Sequence, residues 1–176
     1  MARVFVGVGS NIDPEANVPR ALKLLARDLP VLAISTFYRT PALGRPNDPP
    51  FVNGVIEIGD TFGPLELKRA LERTEAALGR RRQPDRYAPR TIDLDLLVYG
   101  NRHETSDELK LPHPDILHRR FVAAPLFELA PTLVLPGSDM AVGKVVKSLE
   151  AFPMEPLPGL TQQLRKELLH EGRDQP

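Results

Sequence analysis

Arg90-Thr91-Ile92-Asp93-Leu94-Asp95-Leu96-Leu97-Val98-Tyr99 alternates apolar and acidic side chains, then turns wholly apolar. On a β-strand, successive side chains point to opposite faces. Ile92, Leu94 and Leu96 therefore share one face, which asks for a core. Asp93 and Asp95 share the other, roughly 7 Å apart, about two strand rises. Like charges so placed repel unless cations lie between them, and hard oxygen ligands suit magnesium. The pair alone also fits the solvated face of a two-sided strand.

Outward from this strand, the chain alternates elements. Arg3 to Gly9 is β-rich and reads as the first strand. Asp13-Pro14 has the form of a helix start, an acid at the N-cap and proline at the first position. Val18, Ala21, Leu22, Leu25 and Leu29 follow with helical spacing. Val31 to Arg39 reads as a second strand, Thr40 to Pro50 as a proline-rich loop and Phe51 to Ile58 as a third strand. Pro64 opens a second helix with Leu67, Leu71, Thr74 and Leu78 on its inner stripe and Gly79 as its stop. Leu109 to Pro112 is short and extended, and Phe121 to Leu129 and Val142 to Glu150 read as helices. The order β-α-β-β-α-β predicts an α+β, ferredoxin-like sandwich: a mainly antiparallel sheet with helices packed on one face. Residues 1–150 read as one domain. Residues 151–176 read as a C-terminal extension, with a peripheral helix over 160–171.

The loop before the acid pair is the strongest charge feature of an otherwise neutral chain of 23 basic and 23 acidic residues. Arg80, Arg81, Arg82, Arg86 and Arg90 surround a single acid, Asp85. Guanidinium forks match phosphate oxygens, so an arginine loop beside a metal-binding acid pair suits a polyphosphate. A solvated basic loop has the same composition. Glu75, in the last turn of the second helix, opposes the helix dipole and calls for a cationic partner, with the nearby arginines as candidates. Prolines 112 and 114 hold His113 in an extended segment, where an imidazole could donate a hydrogen bond or a proton. Arg119 adds charge close by, and spacing alone places Phe121 in the core. Thr40-Pro41-Ala42-Leu43-Gly44, with Phe51-Val52-Asn53, has the makings of a heterocycle site: an aromatic face to stack on and an amide to read ring atoms.

Other chemistries are excluded. The chain has no cysteine, hence no disulfide scaffold, thiol catalysis or Cys-ligated zinc. It has no G-x-x-x-x-G-K-[ST] loop, no complete dinucleotide fingerprint and no H-E-x-x-H. Neutral net charge argues against a nucleic-acid binder. No run approaches a membrane span, and Met1 to Asn11 lacks the order of a signal peptide, which predicts a cytoplasmic protein that needs no membrane.

Gly9-Ser10-Asn11, Phe37-Tyr38-Arg39-Thr40-Pro41, Phe51-Val52-Asn53, Gly79-Arg80-x-Arg82, Pro89-Arg90-Thr91-Ile92-Asp93-Leu94-Asp95, Pro112-His113-Pro114, Arg119-x-Phe121 and Pro125-Leu126 stand in this order. Together they resemble the 6-hydroxymethyl-7,8-dihydropterin pyrophosphokinase family, from about residue 4 to about residue 136. The resemblance implies a monomer that transfers diphosphate from ATP to a pterin alcohol in folate biosynthesis, with residues 1–150 as that domain. It implies two magnesium ions on Asp93 and Asp95. It implies a pterin between Phe51 and Phe121, held by Asn53 and Thr40 and lined by Pro41 and Leu43. Glu75, Arg80, Arg82, Arg90, His113 and Arg119 fall at nucleotide-contacting positions, and Arg80, Arg90, His113, Asp93 and Asp95 at catalytic ones. The loops near 44–50 and 80–90 would close the site. Two other readings remain at this point. A different Asp-x-Asp transferase would need a nucleotide but no pterin. An RNA-binding ferredoxin-like module would need a basic aromatic face, whereas here the basic loop adjoins two acids.

Overall fold

The structure is a computed structural model that describes residues 1–169. Its elements run β1 (Val4–Ser10), α1 (Pro14–Leu25), β2 (Val31–Ile34), β3 (Tyr38–Thr40), β4 (Phe51–Ile58), α2 (Pro64–Ala77), β5 (Asp93–Tyr99), β6 (Glu104–Thr105), β7 (Lys110–Leu111), α3 (Asp115–His118), α4 (Arg120–Leu129), α5 (Val142–Ser148), β8 (Glu155–Pro156) and α6 (Pro158–Leu169). The main sheet has the order β5-β1-β4-β3-β8, with β2 also on β4. All its pairings are antiparallel. This is the expected α+β arrangement. No helix among the described residues is long and apolar enough to cross a membrane.

The second strand is broken where one run was expected. Ser35 N–H donates to Val55 O at 2.9 Å, and its hydroxyl accepts from Val55 N–H at 2.9 Å. A side chain thus replaces one rung of the ladder. Thr36 turns outward, and its N–H donates to Glu128. Phe37 then lies over Gly54, where a Cβ would come within 2.7 Å of its ring. The break splits the strand into β2, beside the far half of β4, and β3, beside the near half.

Helices cover both faces, not one. Val4, Val6, Val8, Val52, Ile56, Leu94 and Leu96 pack with α1, α2 and α6 in one buried cluster. Phe5, Val55, Leu97 and Val98 pack with α4 and α5 in a second. The second layer covers only part of its face. The remainder carries Gly7, Gly9, Asn53, Asp93 and Asp95, and this open half is the floor of a cleft. A register shift between Phe5 and Val6 lets both Leu97 and Val98 face the second cluster.

Asp13 sits at the N-cap of α1 with φ of 43° and makes no capping hydrogen bond. Asn17 instead donates its amide to Ile12 O at 2.6 Å. Gly79, with φ of 79°, ends α2 in a reversed turn: Gly79 N–H donates to Ala76 O and Arg80 N–H to Glu75 O. The helix expected over 160–171 is present to Leu169, and its last two positions lie outside the described residues. It is not peripheral, because Leu164 and Leu168 enter the first cluster and Thr161 is buried.

Candidate active site

Register brings the acids over glycines. Gly9 lies between Asp93 on β5 and Asn53 on β4, and Gly7 lies between Asp95 and Val55. A Cβ at Gly9 would come within 2.8 Å of Asn53 Oδ1, so glycine there leaves room for that amide. Asn53 is buried, and its Nδ2 donates to Thr40 Oγ1 at 2.8 Å. This bond holds the nitrogen against β3 and turns the amide oxygen toward Gly9.

Two hollows meet on this floor. One, of about 160 Å³, is lined by Thr40, Pro41, Leu43, Phe51, Asn53 and Phe121, among others. All six residues expected to bind the heterocycle are therefore brought together. Phe121 is half-buried, its ring on this hollow and not in the core that spacing suggested. The other hollow, of about 600 Å³, holds Glu75, Arg80, Arg82, Arg90 and His113. Arg119 lines the smaller hollow and not the larger, so it faces the heterocycle side of the expected nucleotide set. Asp93, Asp95, Asp115, Arg86 and Arg90 border both.

The turn after α2 builds the cationic wall. Because Arg80 follows Gly79 immediately, its side chain falls back on Glu75 and pairs with it. It also donates to Asp93 Oδ1 at 2.7 Å. Arg90 donates to Asp93 Oδ2 at 3.2 Å. The Arg90 backbone is held in turn by Asn11, whose Oδ1 accepts its N–H at 2.8 Å. The Gly9-Ser10-Asn11 string thus clears the floor and anchors the arginine loop. Arg82 is the outlier: its side chain is 75% exposed at the rim and pairs with Glu72 at 3.3 Å.

Asp95 lacks such neutralisation. Among the described residues no arginine or lysine pairs with it, and it faces the neutral His113 ring, Nε2 to Oδ1 at 3.9 Å. Burial low in the cleft, then the charges of Asp93 and Asp115, push its carboxyl up to about 7. His113 is held by its N–H to Leu97 O at 2.8 Å, and its Nδ1 accepts from Asp115 N–H at 3.1 Å. With Nδ1 accepting, the neutral ring carries its proton on Nε2, facing Asp95. Burial, the largest influence, keeps that imidazole below its ordinary value, against the pull of Asp115.

Atoms of Asp95, His113 and Asp115 lie within 4.8 Å of one another, close enough to share a cation. Asp115 is the functional candidate that sequence reasoning left without a role. Its signal was the His113-x-Asp115 spacing at the opening of a helix. The expected Asp93–Asp95 pair is on the floor, but Asp93 is already bound by two arginines. A divalent cation fits here on charge grounds, since Asp93, Asp95 and Asp115 border both hollows, and Asp95 and Asp115 have no arginine or lysine partner among the described residues.

Comparison with known proteins places the chain in a family. Residues 5–131 match the family model 7,8-dihydro-6-hydroxymethylpterin-pyrophosphokinase (HPPK). The 2-amino-4-hydroxy-6-hydroxymethyldihydropteridine pyrophosphokinase of Haemophilus influenzae is 38% identical over 157 residues, 88% of this chain and 97% of that one. The enzyme of the same name from Pseudomonas aeruginosa is 39% identical over 137 residues, 76% of this chain and 84% of that one. A crystal structure of an HPPK-DHPS in complex with substrates superposes with a TM-score of 0.64 at 13% identity, which shows the shared fold. The match covers 84% of this chain and 43% of that one, so this chain spans under half of that protein.

Proposed function

This chain belongs to the 7,8-dihydro-6-hydroxymethylpterin-pyrophosphokinase family, and from that premise we propose how its residues perform the transfer. The family's reaction moves a pyrophosphoryl group from ATP to the hydroxymethyl group of a dihydropterin, a step of folate synthesis. We assign the pterin to the smaller hollow and ATP to the larger. The observation that carries this reading is the shared border: Asp93 and Asp95 edge both hollows, where a phosphate chain from one side meets a hydroxyl from the other.

The pterin stacks between Phe51 and Phe121, with Pro41 and Leu43 along its edge. Asn53, its nitrogen held by Thr40, offers its amide oxygen to ring N–H donors. Glu75, Arg80, Arg82, Arg90, His113 and Arg119 serve the triphosphate and the transferred group. Arg80 and Arg90 release part of their hold on Asp93 as phosphate arrives, because a guanidinium has donors for both. The His113 Nε2–H donates to a phosphate oxygen in the region between the α- and β-phosphorus. The pterin hydroxyl oxygen bonds to the β-phosphorus and gives up its proton to water, the bond from that phosphorus to the α,β-bridging oxygen breaks, and AMP leaves. Positioning and fixed charge supply most of the rate.

Asp93 and Asp95 would hold two magnesium ions, with Asp115 close enough to take part. When bound, such ions would offset the negative charge of the phosphates. We further read the protein as a cytoplasmic monomer without nucleic-acid or membrane partners, in which residues 1–150 carry the pyrophosphokinase site and the segment after 150, expected as an extension, completes the same fold through β8 and α6. The test is the nucleotide product formed from ATP, magnesium and 6-hydroxymethyl-7,8-dihydropterin. Pterin-dependent AMP is expected. ADP would mean attack at the γ-phosphorus and overturn the phosphate register.

A further inference from the structure

Residues 149–157 lie beyond the segment matched by the family model, and they join the two walls of the smaller hollow. At one end, Arg120 Nη1 donates to Val146 O at 2.8 Å and Leu149 O at 3.2 Å, which fixes the end of α5 to the first turn of α4. That turn carries Phe121. Phe152 then lies against Phe121, ring centres 5.6 Å apart and planes inclined by 47°. At the other end, β8 pairs with β3, Pro156 opposite Tyr38 and Glu155 opposite Arg39. Leu157 N–H donates to Phe37 O at 2.8 Å. β3 carries Thr40, which lines the hollow and holds the Asn53 amide on its floor.

We propose that this segment is a strap that sets the width of the pterin slot, and that Phe152 is the positioning residue that fixes the Phe121 ring. The proposal rests on the pterin assignment made above. Three observations support it. Phe121 lines the hollow while Phe152 does not, so Phe152 backs the ring and leaves the slot to substrate. Phe121 sits on the first turn of a helix whose N-cap, Arg119, makes no side-chain capping bond, so the ring is held by packing while Arg120 ties the turn beneath it. The strap is tied to the α4 turn by Arg120 and to β3 by backbone pairing, so displacement of either wall is resisted by the other. A stacking slot depends on wall spacing more than on any single hydrogen bond, because ring attraction falls quickly once faces separate.

The experiment measures KM for pterin, KM for ATP and kcat from AMP release, in Phe152→Ala, Phe152→Leu, Phe152→Tyr and Phe121→Ala, with melting temperatures alongside. The expected result for Phe152→Ala is a pterin KM raised about three- to tenfold, the worth of an aromatic pair. Its ATP KM and kcat stay within about twofold, as for lost ground-state binding. Phe152→Tyr keeps the ring and restores the pterin KM, and Phe152→Leu falls between. A pterin KM untouched in Phe152→Ala, while Phe121→Ala raises it, overturns the strap and leaves the pterin assignment standing. Equal rises in both KM values with a lower melting temperature mean a merely structural role and also overturn it. If Phe121→Ala itself leaves the pterin KM unchanged, the pterin assignment fails and the strap falls with it.

Discussion

Gly9 and Asn53 face each other across β1 and β4 so closely that a methyl group on Gly9 would stand 2.8 Å from the Asn53 amide oxygen. That oxygen is the end of a side chain, so Gly9→Ala moves the amide and leaves the backbone in place. The expected outcome is a folded protein whose stability changes by less than about 1 kcal/mol. Its pterin affinity falls about tenfold, the worth of one hydrogen bond. Equilibrium titration with pterin and a thermal melt check both. Unchanged affinity would mean that Asn53 does not read the pterin.

Arg80 is held between Glu75 and Asp93, and neither Arg80 nor Glu75 exposes more than 17% of its side chain. Arg80→Ala leaves the buried Glu75 carboxylate without a cation. The expected cost is about 3 kcal/mol, the scale seen when one partner of a buried pair is removed. Adding Glu75→Gln should recover part of the stability and none of the turnover. Denaturant unfolding of the two single variants and the double variant gives the coupling. Additive losses would show that the two side chains do not support each other.

Much of this arrangement was legible from residue order. Period-two alternation in Ile92–Leu96 fixed which face carries Asp93 and Asp95, and Gly79 marked the end of α2. What could not be read depends on partners far apart in sequence. The break at Ser35 exists because its hydroxyl meets Val55, and Phe37 needs Gly54 beneath it. The second helical layer follows from α4 packing on β4, a contact that no local periodicity encodes. Asp115 carried no reading in the sequence and acquires its place beside Asp95 because His113, two residues before it, is pinned to Leu97. The 160–171 segment, past prolines 153, 156 and 158, read as peripheral, yet Leu164 and Leu168 seat it in the first cluster.

Burial, then the charges of Asp93 and Asp115, pushes the Asp95 carboxyl up from the ordinary 3.8 to about 7. The folded value lies above the unfolded one. The group therefore favours the fold below the unfolded value, and that contribution is lost as pH rises through about 7. Asp95→Asn cannot ionise. In chelator it should melt above the parent protein at about pH 8 and level with it at about pH 4. Its turnover should fall at least about a hundredfold, as expected for loss of a metal-binding carboxylate. Melting curves at both pH values check the first part and AMP release the second. A variant that melts below the parent at the higher pH would show that the carboxylate is stabilising without metal. Full activity would remove Asp95 from the magnesium site.

The last helix should matter to the whole fold. Leu164 is fully buried among the side chains of the first cluster. One turn earlier, Thr161 Oγ1 accepts the Phe37 N–H at 2.9 Å, and Arg165 Nε donates to Ile34 O at 3.0 Å. α6 thus satisfies backbone groups on either side of the break between β2 and β3, where the sheet's own ladder cannot reach. Leu164→Ala removes apolar volume from a site bounded by β-strands that cannot easily collapse, and should cost about 3 kcal/mol. Thr161→Val leaves the Phe37 N–H without its acceptor and should cost about 1 to 2 kcal/mol. Arg165→Ala, at a half-exposed position, should cost less than either. Urea unfolding with a shared m-value gives all three numbers. If Leu164→Ala lost under about 1 kcal/mol, the helix would be riding on the sheet's edge and not supporting it. An order with Arg165 costliest would mean that α6 is held by its ion pair with Glu128, 3.3 Å away, more than by its apolar face.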